Sequence, residues 1–86
     1  MQTVTLLDEA LAVIRRLGYE IREECVGGNG GGACVLRERK LFFMDPSLEL
    51  EDQLEMACDA LRADAGVYRT ELSDPLRATL GIRRSA

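Results

Sequence analysis

The most nucleophilic side chains here are three cysteines, and the chain has no histidine to assist them. Cys25 and Cys34 close the two ends of Cys-Val-Gly-Gly-Asn-Gly-Gly-Gly-Ala-Cys, and Cys58 stands directly before Asp59. A thiol attacks or ligates as the thiolate, which needs a cation or a helix N-terminus close by. Two thiol chemistries are therefore conceivable: a redox pair of Cys25 with Cys34 if their strands are neighbours, and a thiol-dependent enzyme using Cys58 with Asp59. The simpler role is packing, because a buried free cysteine behaves as a small apolar residue, and Cys58 falls on the apolar stripe of a helical segment. Structural zinc usually takes four Cys or His ligands, often as close pairs. The three cysteines are far apart, with no Cys-x-x-Cys, so no metal site is expected. An odd number of cysteines behind no secretory apolar segment suits free thiols in a reducing cytosol.

The glycine run Gly27–Gly32 poses a second question. Gly28, Gly30 and Ala33 fit G-x-G-x-x-A loosely. A phosphate cradle also needs a helix N-terminus to supply amide donors. The segment that follows, Cys34-Val35-Leu36, is short and β-prone, and no P-loop Lys-Ser/Thr pair is present. The run is expected to connect two strands, with glycine tolerating positive φ there. A small-ligand binder at the Gly27–Gly32 loop is the remaining alternative, and no cofactor is expected.

Carboxylates crowd two places, Glu20, Glu23 and Glu24 in one segment and Glu49, Glu51, Asp52, Glu55 and Asp59 in another. Paired acids do general acid–base work only when their surroundings split their pKa values, and nothing in the spacing gathers two of them into a pocket. No catalytic residue is expected. The net charge of −4 and pI near 4.8 argue against nucleic acid, whose binding rests on Lys and Arg neutralising phosphates. A local basic patch from Arg37, Arg39 and Lys40, or from Arg83 and Arg84, would be the exception. No apolar run approaches the roughly 20 residues of a membrane span, so no membrane partner is expected, and the cytoplasm is the expected location.

The elements that must position these groups follow from periodicity. Residues 5–17 carry Leu7, Leu11 and Ile14 beside Leu6, Ala10, Val13 and Leu17, a wide helical apolar face, with Thr5 as cap and Gly18 as the left-handed stop. Residues 19–25 alternate as a half-buried strand. Residues 33–37 and 40–44 flank Glu38-Arg39 as a hairpin. After Asp45-Pro46-Ser47, a second helix is expected from about Leu48 or Leu50 to Ala63, with Gly66 at its exit. Residues 67–72 alternate weakly, as a short strand or an extended arm. Ser73-Asp74-Pro75 caps a short helix from Leu76 to Leu80, stopped by Gly81.

The expected fold is α+β, a single domain over residues 1–86. Two main helices pack on one face of a small, mainly antiparallel three-stranded sheet, and a short C-terminal arm and helix follow. The expected core is Leu7, Leu11, Ile14, Leu17, Ile21, Val35, Phe43, Leu54 and Leu61, with Leu50 beside them. Phe42 and Met44 then face away from Phe43. Together with Val67 and Tyr68 they make a possible interaction surface, covered by the C-terminal arm or by another subunit. The function expected on these grounds is a non-catalytic protein–protein interaction or accessory module that self-associates as a homodimer.

The order of elements also carries a resemblance. An amphipathic helix ended by glycine, a strand, a glycine-containing turn, a hairpin leading into Asp and Leu, and then a helix resembles the small zinc-peptidase domain of the phage-immunity repressor-cleaving family, over roughly residues 6–63. That family's active helix bears His-Glu-x-x-His. Here Leu-Glu-Met-Ala-Cys-Asp-Ala-Leu-Arg-Ala, residues 54–63, falls in its place. Cys58 stands in the first histidine position, Asp59 in the glutamate position and Arg62 in the second histidine position. A guanidinium stays protonated and cannot ligate zinc, so the resemblance implies a metal-free relative to which the peptidase chemistry does not carry over.

Overall fold

A computed structural model describes residues 2–23 and 32–82 of the chain. The first amphipathic segment forms helix α1, Thr3–Arg16. It starts two residues before Thr5: Gln2 is the N-cap, without a side-chain bond, and its carbonyl accepts from Leu6 at 3.1 Å. Arg15 and Arg16 lie in the last turn, where they suit the helix dipole. Gly18 then takes φ 99° and turns the chain into strand β1, Tyr19–Glu23.

Strand β2, Gly32–Leu36, and strand β3, Arg39–Met44, form the expected hairpin. The turn residues are Arg37 and Glu38, at φ 51° and 69°, one residue earlier than the sequence suggested. Positive φ at both central residues is the type I′ geometry that suits the twist of a two-residue hairpin.

The sheet order is β1-β3-β2. β3 pairs antiparallel with β2 and parallel with β1, so the sheet is mixed rather than mainly antiparallel. The registers explain why. Glu23 pairs with Met44 and Gly32 with Phe43, so the chain leaves β1 and enters β2 at the same end of β3. β2 must then run against β1, and the tight turn returns β3 parallel to β1.

Register also decides the faces. Ile21 sits beside Phe42, Glu23 beside Met44 and Ala33 opposite Phe42. Phe42 and Met44 are therefore on the helix-covered face, 0% and 2% exposed, and not on an outer surface. Phe43 is half-buried on the opposite face. One residue of register exchanges the two faces of a strand, and that step separates the expected Phe43 core from the observed Phe42 core. Val35, also expected inside, is 64% exposed, because it lies opposite Lys40 on the outermost strand.

Helix α2 spans Leu50–Ala63 and buries Ala57, Cys58, Ala60 and Leu61. Leu50, at its first position, is exposed. A 3-10 turn, Ala65–Arg69, replaces the weak strand or arm; it buries Val67 and leaves Tyr68 exposed. Helix α3, Asp74–Leu80, begins at Ser73, whose Oγ accepts from the Leu76 amide at 3.2 Å, and ends at Gly81 with φ 77°. Leu7, Ala10, Val13 and Ile14 of α1 join Phe42, Met44, Leu61, Val67 and Leu76 in one core. Each large side chain buried there contributes about 1.5–3 kcal/mol. With extents of 41 × 31 × 17 Å, the molecule is flat; its main core lies on the Phe42–Met44 face of the sheet, and Leu41 is buried on the other.

Candidate functional site

The densest polar cluster lies where α1 ends, β3 begins and α2 gives way to the 3-10 turn. Tyr19 Oη and Lys40 Nζ each donate to Asp64 Oδ2 at 3.0 Å. Lys40 also donates to the Leu17 carbonyl at 2.9 Å and sits 4.6 Å from the Tyr19 ring centroid. The Gly66 amide donates to Asp64 Oδ1 at 2.8 Å. That amide first, and the Lys40 ammonium second, hold the Asp64 carboxyl below the usual carboxylate range. Burial, followed by the hydrogen bond to Asp64, pushes the Tyr19 phenol up, away from the phenolate a nucleophile would need. A Cβ at residue 66 would meet Leu17 Cδ2 at 2.9 Å and Asp64 Oδ1 at 3.1 Å, so a larger residue there requires those two side chains to shift. Every group in the cluster is engaged with its neighbours, and its role is to brace three elements.

Cys58 and Asp59 do not converge. Cys58 is 2% exposed in the core, and burial pushes its thiol up, which removes thiolate near neutral pH. Asp59 points to solvent and accepts from Arg62 Nη1 at 2.9 Å. Arg62 also donates to the Leu80 and Thr79 carbonyls at 3.2 and 3.1 Å, closing the C-terminal end of α3. Cys34 is half-buried. Cys25 and most of the Gly27–Gly32 run lie outside the described residues, so the Cys25–Cys34 pair and the loop-ligand expectation do too. Gly32 itself opens β2 at φ 132°. Among the described residues no group of three His, Cys, Asp or Glu side chains could hold a metal ion. The expected basic patch is divided: Lys40 turns inward to Asp64, and Arg39 donates to Glu20 at 2.6 Å. Arg83 and Arg84 lie outside the described residues.

Of the four residues expected to form an interaction surface, Phe42, Met44 and Val67 are buried in the chain's own core and Tyr68 alone is exposed. The apolar surface lies instead on β2. The two edges of the sheet differ in kind. β1 carries Glu20, Arg22 and Glu23, with Glu20 held by Arg22 at 2.9 Å and by Arg39 at 2.6 Å. Those bonds, that of Arg39 first, hold the Glu20 carboxyl below its usual range. β2 reads Gly-Ala-Cys-Val-Leu, with no charge, and exposes Val35 at 64% and Leu36 at 57% on its two faces. Beside this edge lies a shallow cleft of about 290 Å³ lined by Gly32, Ala33, Met56, Asp59, Ala60 and Ala63. An uncharged stretch followed by a charged turn was a signal for this edge already present in the sequence.

Among the described residues no helix is long and apolar enough to cross a membrane. No family model matches the chain, and no match is found among curated proteins or solved structures.

Proposed function

We propose that this chain is a non-catalytic protein–protein interaction or accessory module of the cytoplasm that docks to another polypeptide through the free edge of β2. The observation that supports this is the contrast between the two edges. A free edge offers a row of unpaired backbone donors and acceptors, and folded proteins normally guard it with charge, proline or a covering element. Among the described residues, β1 carries three charged side chains and β2, with Val35 and Leu36 exposed, carries none. Strand addition at such an edge takes affinity from main-chain hydrogen bonds and specificity from pockets for alternate side chains. The buried Cys58, with its raised pKa, gives the thiol-enzyme alternative no support. The likeness to the zinc-peptidase domain remains a proposal about ancestry. The order helix, three strands, helix agrees with it, while Cys58 packs in the core and Arg62 serves the end of α3.

The test compares the wild-type chain with Val35→Lys and Leu36→Lys, each a surface lysine on the edge. Sedimentation velocity from low to high micromolar concentration reads self-association, and fluorescence anisotropy reads an added, end-blocked strand peptide. The expected result is association of one kind or the other in wild type, lost in both variants. A wild-type chain that stays monomeric and takes up no strand peptide would overturn the reading.

A further inference from the structure

Resting on that reading, we infer that the polypeptide docked on β2 is a second copy of this chain, its β2 antiparallel to the first about a two-fold axis at Cys34. A two-residue turn closes on a hydrogen-bonded pair, here Leu36 with Arg39. Bonded and non-bonded pairs alternate along an antiparallel ladder, so Cys34 and Gly32 also direct their backbone groups to β3. The N–H and C=O of Ala33 and of Val35 therefore point out along the free edge. A second β2 meets these groups when Ala33 of one copy lies opposite Val35 of the other. In that register each Ala33–Val35 pair exchanges both of its backbone hydrogen bonds, and Cys34 lies opposite Cys34.

One strand carries both the knob and the hole. Ala33 and Val35 share the helix-side face of the sheet, opposite Phe42 and Lys40. Val35 is 64% exposed. Ala33 lines the cleft of about 290 Å³ with Met56, Ala60 and Ala63. In the two-fold register each Val35 stands level with the other copy's Ala33 and enters that cleft, so both clefts are filled at once. A two-fold interface uses the same patch on both subunits, and this patch complements itself. Centring the axis on Val35 instead sets the two valines against each other and brings Arg37 level with Ala33. Charge and area set the strength. β2 has no charged residue, and Asp59 at the cleft is paired with Arg62 at 2.9 Å. Each chain carries −4, so two copies repel until salt screens them. A standard interface takes about 20–30 residues a side. Five strand residues and one flank of α2 make a smaller one, so this dimer is weak and exchanges with monomer.

The two Cys34 residues report the register. Across a non-hydrogen-bonded antiparallel pair the Cα atoms are about 4.5 Å apart, inside the roughly 4.4–6.8 Å span of a disulfide. The experiment uses the full chain with Cys25→Ser, which keeps Cys34 and Cys58, at high micromolar concentration. Two Cys34 thiols exchange with one molecule of oxidised glutathione, giving one Cys34–Cys34 bond and two molecules of reduced glutathione. Mass spectrometry of the non-reduced dimer is expected to find Cys34 joined to Cys34. This bond should form at least tenfold faster than in the same chain carrying Val35→Lys, which takes away the knob, or Ala63→Phe, which fills the cleft from its exposed rim. Amide spectra check that both variants are folded. Sedimentation velocity of the wild-type chain is expected to show a dimer whose Kd falls several-fold from 50 to 500 mM salt, as the like charges are screened. A chain that takes up the end-blocked strand peptide yet stays monomeric would overturn this inference and leave the interaction-module reading standing. Equal trapping rates in all three chains, or a dimer that weakens with salt, would do the same. No self-association and no peptide uptake would remove both.

Discussion

Lys40 and Asp64 meet at 3.0 Å although they are 24 positions apart in the chain. The lysine opens β3 and reaches back to the carbonyl of Leu17 at the end of α1. The aspartate follows α2 and caps the next turn through the Gly66 amide. One ion pair thus links the end of each main helix to the central strand. This side-chain-to-backbone tie holds the helix layer above the sheet at the start of β3.

The brace titrates in a calculable direction. The folded pKa of Asp64 is lowered, so its contribution is fully present above the ordinary carboxylate range and is lost as pH falls through the lowered folded value. Asp64→Asn removes the charge and keeps the shape. With Lys40 over a third exposed, screening limits the pair, and the variant is expected to lose about 1 kcal/mol at pH 7. The difference between wild type and variant should shrink steadily below about pH 4. Urea unfolding followed by circular dichroism at pH 7, 5 and 3 checks this; a difference that persists unchanged at pH 3 would contradict it.

Adjacent phenylalanines separate the two sheet faces. Phe42 is fully buried among α1 and α2 residues, and Phe43 is half-buried on the opposite face, which it shares with the buried Leu41. Phe42→Ala is expected to cost about 3–5 kcal/mol, enough to unfold much of so small a domain. Phe43→Ala should cost about 1–2 kcal/mol, in keeping with partial burial. Denaturation midpoints of the two variants measure the contrast, and equal losses would refute the face assignment.

The same pair shows what was legible in the sequence. Both main helices, the hairpin and the α3 cap follow from local signals: the 3.6-residue apolar repeat, Gly18 and Gly81, and Ser73-Asp74-Pro75. Which face of β3 turned inward could not be read there, since Leu41, Phe42, Phe43 and Met44 are all apolar and period 2 has nothing to alternate. The decision came from the parallel register with β1, a long-range pairing that no nearby residue encodes. The mixed sheet escaped for a related reason, because its direction depends on which end of β3 the chain returns to. The unguarded edge was visible as an uncharged run, but that β2 is outermost required the topology.

The hairpin turn holds a local conflict that substitution can relieve. Arg37 and Glu38 both occupy positive φ, where a side chain other than Asn, Asp or Gly is disfavoured by roughly 1–2 kcal/mol per residue. Replacing the pair as Arg37→Asn with Glu38→Gly supplies the preferred type I′ residues. Both positions are exposed, so little packing is lost. The expected gain is about 1 kcal/mol or more, a rise in Tm of about 4–8 °C per kcal/mol for a domain of this size. Scanning calorimetry would show it, and an unchanged or lower Tm would count against a left-handed turn at these residues.

The buried thiol gives the last prediction. Thiolate carries the reactivity, and Cys58 is deprived of it twice, by a raised pKa and by 2% exposure. In the folded chain at pH 7.5, Cys58 is expected to react with a maleimide or an aromatic disulfide at least 100-fold more slowly than in the denatured chain. Cys34, half-buried on the outer face of β2, should react faster than Cys58. Peptide mapping by mass spectrometry after timed labelling assigns each rate to its cysteine. The double substitution Cys25→Ser, Cys34→Ser leaves Cys58 as the single thiol and gives an independent reading. Rapid labelling of Cys58 in that folded variant would reveal an opening of the α2 layer and return the thiol to the list of reactive groups.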